Sequence, residues 1–411
     1  MGEAQETWRQ PRKPREMVRA FRHAGAARAF AVFAMLLCLG TVAGLVLLWP
    51  DGSRDEHKVA PPLVTHKAEV IRLSAIPCQV PGETDCAQVE ARIQDGPRAG
   101  QLARLRLGDS RAHPDVKLGE NIRVVRNAPP GGNPTAQQGD PYNFSDFDRR
   151  APMLWLAVGF AGIVLLFGRL RGAMSLLGLG LSLTVVVAFI VPAILDGAPP
   201  LAVAVVGSMG VMLSTILLSH GTGPKSLAAI LGTAGSLAIT LGLAVAFTHL
   251  IKITGLSSEE ALLLQVNDAD ISLQGLVLAG MVIGALGVLD DVTVSQASAV
   301  MALRRANPLQ AAGELYRGAL DVGRDHVAAT VNTLVLAYVG ASLPILLIFT
   351  VGNTGFPDAI SKEAVAIQVV ATLVGSIGLI AAVPITTAIA ALLASRLSPG
   401  EMGDVHAGHA H

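Results

Sequence analysis

Eight stretches of this 411-residue chain are long, apolar and almost free of charge: Phe30 to Trp49, Pro152 to Gly168, Gly172 to Leu195, Leu201 to Leu218, Leu227 to Leu250, Ile271 to Leu289, Val327 to Val351 and Ala364 to Ala394. Each can cross a hydrocarbon layer of about 30 Å as an α-helix, the conformation that satisfies its own backbone where there is no water. Composition agrees. Half of the residues are hydrophobic (51%) and only 15% are charged, too few to coat a soluble surface. The expected class is a polytopic α-helical membrane protein.

Charge placement sets the orientation. Residues 1–29 form a basic arm with Arg9, Arg12, Lys13, Arg15, Arg19, Arg22 and Arg28, and the apolar run that follows (30–49) is too long for the core of a cleaved signal peptide. It reads as a retained anchor whose arm stays in the cytoplasm. Arg169 and Arg171, Lys225, Arg304, Arg305, Arg317, Arg324 and Arg396 all fall on connections that this start places inside. Both termini are therefore expected in the cytoplasm of a multi-pass cell-membrane protein.

Between the first and second spans the period changes to two. Ala87 to Gln94, Gln101 to Leu107 and Glu120 to Arg126 alternate, separated by Asp95-Gly96-Pro97 and by Leu118-Gly119. Residues 50–126 are read as a small extracytoplasmic β domain, an OB-like barrel or a sandwich. It has no aromatic stacking platform and lies outside the cell, so no nucleic acid is expected as a partner. Residues 127–151, rich in Pro and Gly, read as a tether to the seven-helix bundle of 152–394. Cys78 and Cys86 flank a short loop on the oxidising side and are a disulfide candidate, whereas Cys38 reads as a packing residue. No cysteine has zinc-site spacing. The tail 395–411 carries His406, His409 and His411, weak metal-binding candidates, and whether the chain holds a metal stays open.

The stretch from Gly284 to Val300 carries most of the polar signal. From Ile271 to Leu303 the chain is low in charge for longer than a span needs, yet Asp290 and Asp291 interrupt it. Either the span ends at Asp290 and a cytoplasmic interfacial segment (290–326) follows, or the helix breaks near Gly287 and the acidic pair enters a cavity. On a helix Asp291 shares a face with Ser295 and Ser298, and Asp290 lies with Thr293. Oxygen-only groups of this kind suit a hard cation or a proton relay. Asn307-Pro308 reads as the start of an interfacial helix with Leu309, Ala312, Tyr316, Ala319 and Leu320 on its apolar face. That helix leads to Asp321, Arg324, Asp325 and His326 at the mouth of the next span, and Asn332 inside that span needs a hydrogen-bonding partner. An acidic rim of Glu259, Glu260, Asp268 and Asp270 lies on an outer loop.

With these strings in view the sequence resembles the YibE/F family, a bacterial family of membrane proteins. The resemblance rests on Ala285 to Val300, Gly323 to His326, Asn332 to Pro344, Gly375 to Leu379 and Val383 to Thr387, and reads as covering nearly the whole chain after the basic arm. It implies an architecture and no mechanism.

The expected function is permease-like transport of an ion or small solute, with Asp290, Asp291, Thr293, Ser295, Asp321, Asp325, His326 and Asn332 as path candidates and no cofactor. The alternative is a membrane scaffold or sensor that binds a partner through its outer domain. An enzyme is not expected: an intramembrane aspartyl protease needs carboxylates from two helices around one water, and Asp290 or Asp291 with Asp325 offers such a pair, but both sit near the cytoplasmic edge and the usual flanking motifs are missing. The partners expected of such a chain are the lipid bilayer, an ion or small solute, and a second copy or another partner at the outer domain.

Overall fold

Strand alternation is the simplest local pattern to follow into three dimensions. In the computed structural model, which describes residues 14–52, 64–78, 84–108, 115–126, 142–267 and 270–396, five antiparallel strands form one sheet. They are β1 (Thr65–Ala75), β2 (Ala87–Ile93), β3 (Leu102–Leu107), β4 (Asn121–Arg126) and β5 (Tyr142–Phe147), in the order β3-β2-β1-β4-β5. Val89, Ala91 and Ile93 on β2 and Ala103, Leu105 and Leu107 on β3 point to one face and are buried with Ile122, Val124 and Tyr142. The central β1 shifts register between Val70 and Arg72, and such a bulge bends a strand. The edge strands β3 and β5 consequently approach one another and the sheet is curled.

Turns fall where the sequence puts them. Gly96 (φ 76°) and Gly119 (φ 82°) occupy the left-handed region that glycine enters at no steric cost. Next to Gly96, Asp95 accepts a hydrogen bond from the backbone of Lys67 at 2.8 Å. Cys78 and Cys86 are joined by a disulfide. The sheet extends past the boundary expected at Arg126, because β5 is formed from residues assigned to the tether. The basic arm before Pro14, residues 127–141 of the tether, Asp268 and the three tail histidines lie outside the described residues.

The chain divides into two compact units, Val59–Phe167 and the remainder. The helices are α1 (Pro14–Leu47), α2 (Arg150–Val185), α3 (Val191–Leu195), α4 (Pro200–His220), α5 (Pro224–Leu250), α6 (Glu259–Asn267), α7 (Leu273–Ala306), α8 (Ala312–Val351), α9 (Phe356–Ser361) and α10 (Glu363–Ala394), with a π-helical turn at Val186–Ile190 before α3. Arg169 (φ 49°, ψ −130°) interrupts α2 and divides it into two candidate spans, Arg150–Leu170 and Gly172–Leu195. Among the described residues eight helices are long and apolar enough to cross a membrane, which fits a polytopic membrane protein.

In the second unit α5, α7 and α10 pack together, flanked by α4 and α8. Lipid gives apolar side chains no reason to leave it, so close approach of backbones has to hold such a bundle. Gly232 of α5 faces Thr386 of α10, and Gly378 of α10 faces Thr240 of α5. A Cβ on either glycine would overlap the facing threonine hydroxyl. Not every helix glycine has this role: Gly280 and Gly375 have open space where a Cβ would go.

Two features of the middle of the chain differ from expectation. α7 does not break near Gly287 but runs as one helix past Asp290, 34 residues or about 51 Å in all. A helix can outrun the hydrocarbon layer when tertiary partners cover it, and α7 is covered by its neighbours along most of its length. Asn307 ends α7 as its C-cap and starts no helix. Arg304 holds that end in place, donating to the carbonyls of Gln310 (2.7 Å) and of Ser395 at the close of α10 (3.3 Å). α8 begins only at Ala312, where Glu314 accepts from the backbone N–H of Ala311 at 3.2 Å, and continues unbroken into the span. Its buried face carries Leu315, Ala319 and Gly323, whereas Leu309 is 94% exposed.

Candidate functional site

Asp290, Thr293 and Gln296 are spaced by three along α7. Three residues turn a helix through 300°, so each side chain points about 60° back from the one before and about 4.5 Å further along. The three consequently meet different neighbours. Asp290 Oδ2 lies 3.3 Å from Thr215 Oγ1 on α4. Thr293 Oγ1 lies 2.6 Å from Thr233 Oγ1 on α5. Gln296 Nε2 donates to the carbonyl of Ala319 on α8 (2.7 Å) and to Thr387 Oγ1 on α10 (2.8 Å). One polar line on one helix thus engages four others.

The donors and acceptors can be followed along this line. Thr293 Oγ1 donates to the carbonyl of Asp290 at 3.1 Å, which leaves Thr233 as the donor between the two threonines. Thr387, having accepted from Gln296, passes its own proton to the carbonyl of Val383 at 2.5 Å. Gln296, 4% exposed, uses both amide protons. Asp290 is the exception, since Oδ1 is buried with no hydrogen-bonding protein atom. An acid oxygen left without a partner among hydroxyls is chemically disposed to take a proton or a small hard cation. Among the described residues no group of three His, Cys, Asp or Glu side chains converges on a metal site.

Of the eight residues singled out from sequence, the structure brings only Asp290 and Thr293 into this line. Asp291 is exposed and unpaired, and Ser295, also exposed, donates back to the Asp291 carbonyl at 2.8 Å. Asp321 pairs with Arg324 at 2.9 Å in an exposed i,i+3 bridge. Asp325 and His326 are exposed. Asn332, expected to find a partner within the bundle, is instead exposed on α8, and its side chain makes no hydrogen bond among the described residues. Asp290 turns toward Thr215 of α4, and Asp325 is exposed on α8. The sequence reading missed Gln296, Thr215, Thr233 and Thr387. The signal for Gln296 was present as the third member of the i, i+3, i+6 series, whereas single threonines in apolar helices are too common to stand out.

A family model described as YibE/F-like protein matches residues 156–396, more than half of the chain. The chain belongs to the YibE/F-like family. Neither a curated protein nor a solved structure matches it. The match begins after β5, whereas the resemblance read from the sequence covers nearly everything that follows the basic arm. Three of the strings that carry the YibE/F resemblance meet at one point: Gln296 from the first, Gly323 from the second, and Val383 and Thr387 from the last. The family strings are thereby tied to the packing of α7, α8 and α10.

Proposed function

We propose that this YibE/F-like protein is a permease-like membrane protein that moves an ion or small solute along a path containing Asp290. The observation that carries this reading is the buried, unpartnered Oδ1 of Asp290 inside a helical bundle, with Thr215 on the other oxygen. An acid placed where desolvation is costly, with half of its hydrogen bonding unmet, is hard to explain as packing and suits a group that binds and releases. Both termini are assigned to the cytoplasm of the cell membrane on the strength of the basic loops, which puts Thr215, one and a half turns before the end of α4, on the cytoplasmic half of the path. The curled sheet is assigned to the outside as an OB-like barrel, a reading supported by its strand order and by the approach of β3 to β5.

The test is flux. Purified protein in liposomes is screened across candidate ions and organic solutes, and Asp290→Asn is compared with wild type for the solute that moves. The variant is expected to insert and melt like wild type and to lose flux; full flux in Asp290→Asn excludes Asp290 from the path.

A second reading, a scaffold or sensor acting through the outer domain, is favoured by one observation. The second half of β1 is exposed and carries Ile71 and Leu73, large apolar side chains on a small sheet domain. A partner complex that survives Asp290→Asn and is lost in Ile71→Ser/Leu73→Ser supports this reading over transport.

A further inference from the structure

α8 has two unlike sides above Gly323. Val327, Val331 and Leu334 pack against the core of the bundle, and the hydroxyl of Tyr338 lies beside Gly284 of α7. At 100° per residue, Asn332, Leu336, Val339 and Leu343 lie on the opposite side, and all four are exposed, Leu336 to 62%. An amide on this side, a turn and a half inside the apolar run that begins at Val327, would face lipid with two N–H donors and a carbonyl that hydrocarbon cannot satisfy. Apolar neighbours are content there; Asn332 is not.

We propose that this outward face of α8, centred on Asn332, is the interface between two copies of this chain. The argument for a second copy is the chemistry of the amide, which carries donor and acceptor together. Across a two-fold axis parallel to the span, the carbonyl of each Asn332 accepts from the NH2 of the other, so the group completes itself with an identical partner at the same depth. Nothing on the face opposes this pairing, because no residue from Val327 to Val351 is charged. Backbones can also come close. Ala329 and Gly340 flank the amide on the same side, and a Cβ on Gly340 would meet open space. The interface is isologous and leaves Asp290, on another helix and turned to α4, outside it. Its failure is therefore separate from that of the transport reading.

The full-length protein is reconstituted in nanodiscs sized for two copies, and its mass is measured for wild type, Asn332→Leu and Asn332→Gln. In parallel, Leu336→Cys in a Cys38→Ser background is oxidised in intact membranes. Wild type is expected to be dimeric. Asn332→Leu weakens the dimer about tenfold, on the order of what intramembrane amide pairs contribute, while Asn332→Gln keeps most of it. Leu336→Cys forms a homodimer band that Asn332→Leu diminishes. A monomeric wild type, a dimer indifferent to Asn332→Leu, or a Leu336→Cys adduct with a different protein each overturns the proposal. Unchanged thermal unfolding of Asn332→Leu shows that a lost dimer is not a lost fold, and the crosslink reports on the same face with Asn332 left in place.

Discussion

Gly323 of α8 lies flat against the side-chain amide of Gln296 on α7: a Cβ built on this glycine would sit 2.8 Å from Oε1 and 3.0 Å from Nε2, with Val383 Cγ1 of α10 closer still. Gly323→Ala must push both neighbours and strain the hydrogen bonds from Gln296 to Ala319 and Thr387. A destabilisation of about 1–3 kcal/mol is expected, the range for overpacking a tight interior. Thermal unfolding in detergent measures it, and a Tm equal to that of wild type contradicts the packing described.

Truncating Gln296 itself removes both hydrogen bonds and leaves the Ala319 carbonyl and the Thr387 hydroxyl less well satisfied. Gln296→Ala is expected to cost about 1–3 kcal/mol. Gln296→Glu should be no better, because a carboxylate has no proton to give to either acceptor. The same unfolding assay ranks the variants, and Gln296→Glu matching wild type would show that the donor role is misassigned.

Glycines of α10 make a matched pair for testing helix contact. Gly378→Ala brings a Cβ into Thr240 of α5, whereas Gly375→Ala meets open space. The first should lower stability by about 1–3 kcal/mol. The second should leave it unchanged or slightly raised, since alanine favours a helix interior over glycine. Equal effects at the two positions would mean that α5 and α10 cross elsewhere.

The adjacent acids should separate in function. Asp290→Asn changes a group inside the bundle, Asp291→Asn one that is exposed and unpaired, so flux is expected to fall severely in the first and to persist in the second. If Asp291→Asn is the damaging substitution, the path runs on the other side of α7.

Cell-surface chemistry checks the orientation and the disulfide together. A membrane-impermeant thiol reagent applied to intact cells should label nothing in this protein until a reductant opens Cys78–Cys86. Reporter fusions after Gly100 and in the Ser258 loop should report outside, and fusions at Gln310 or after Ser398 inside. Labelling without reductant, or an inside signal at Gly100, reverses the corresponding assignment.

The sequence and the structure agree where one physical rule acts alone. The eight long apolar helices follow from the eight uncharged runs, and the strands β2 and β3 follow from alternation with a period of two. Agreement ends where a choice between faces is needed. The helical period puts Asn332 on a definite side of α8, but which side meets the bundle depends on the paths of α7 and α10, which no local pattern encodes. The run from Ile271 to Leu303 looked too long for one span because length was judged against lipid, whereas α7 is surrounded largely by protein. Gln296 escaped notice for a related reason: its partners are a backbone carbonyl 23 residues away and a hydroxyl 91 residues away.

The spacing of Asp290, Thr293 and Gln296 gives α7 the geometry of a screw thread. A turn of about 60° combined with a slide of about 4.5 Å carries each side chain into the place of the one beside it, whereas rotation alone or translation alone takes all three out of register with their partners at once. Sliding and turning of this helix are thereby coupled, and the hydroxyls of α4, α5 and α10 act as the nut against which any such movement has to run.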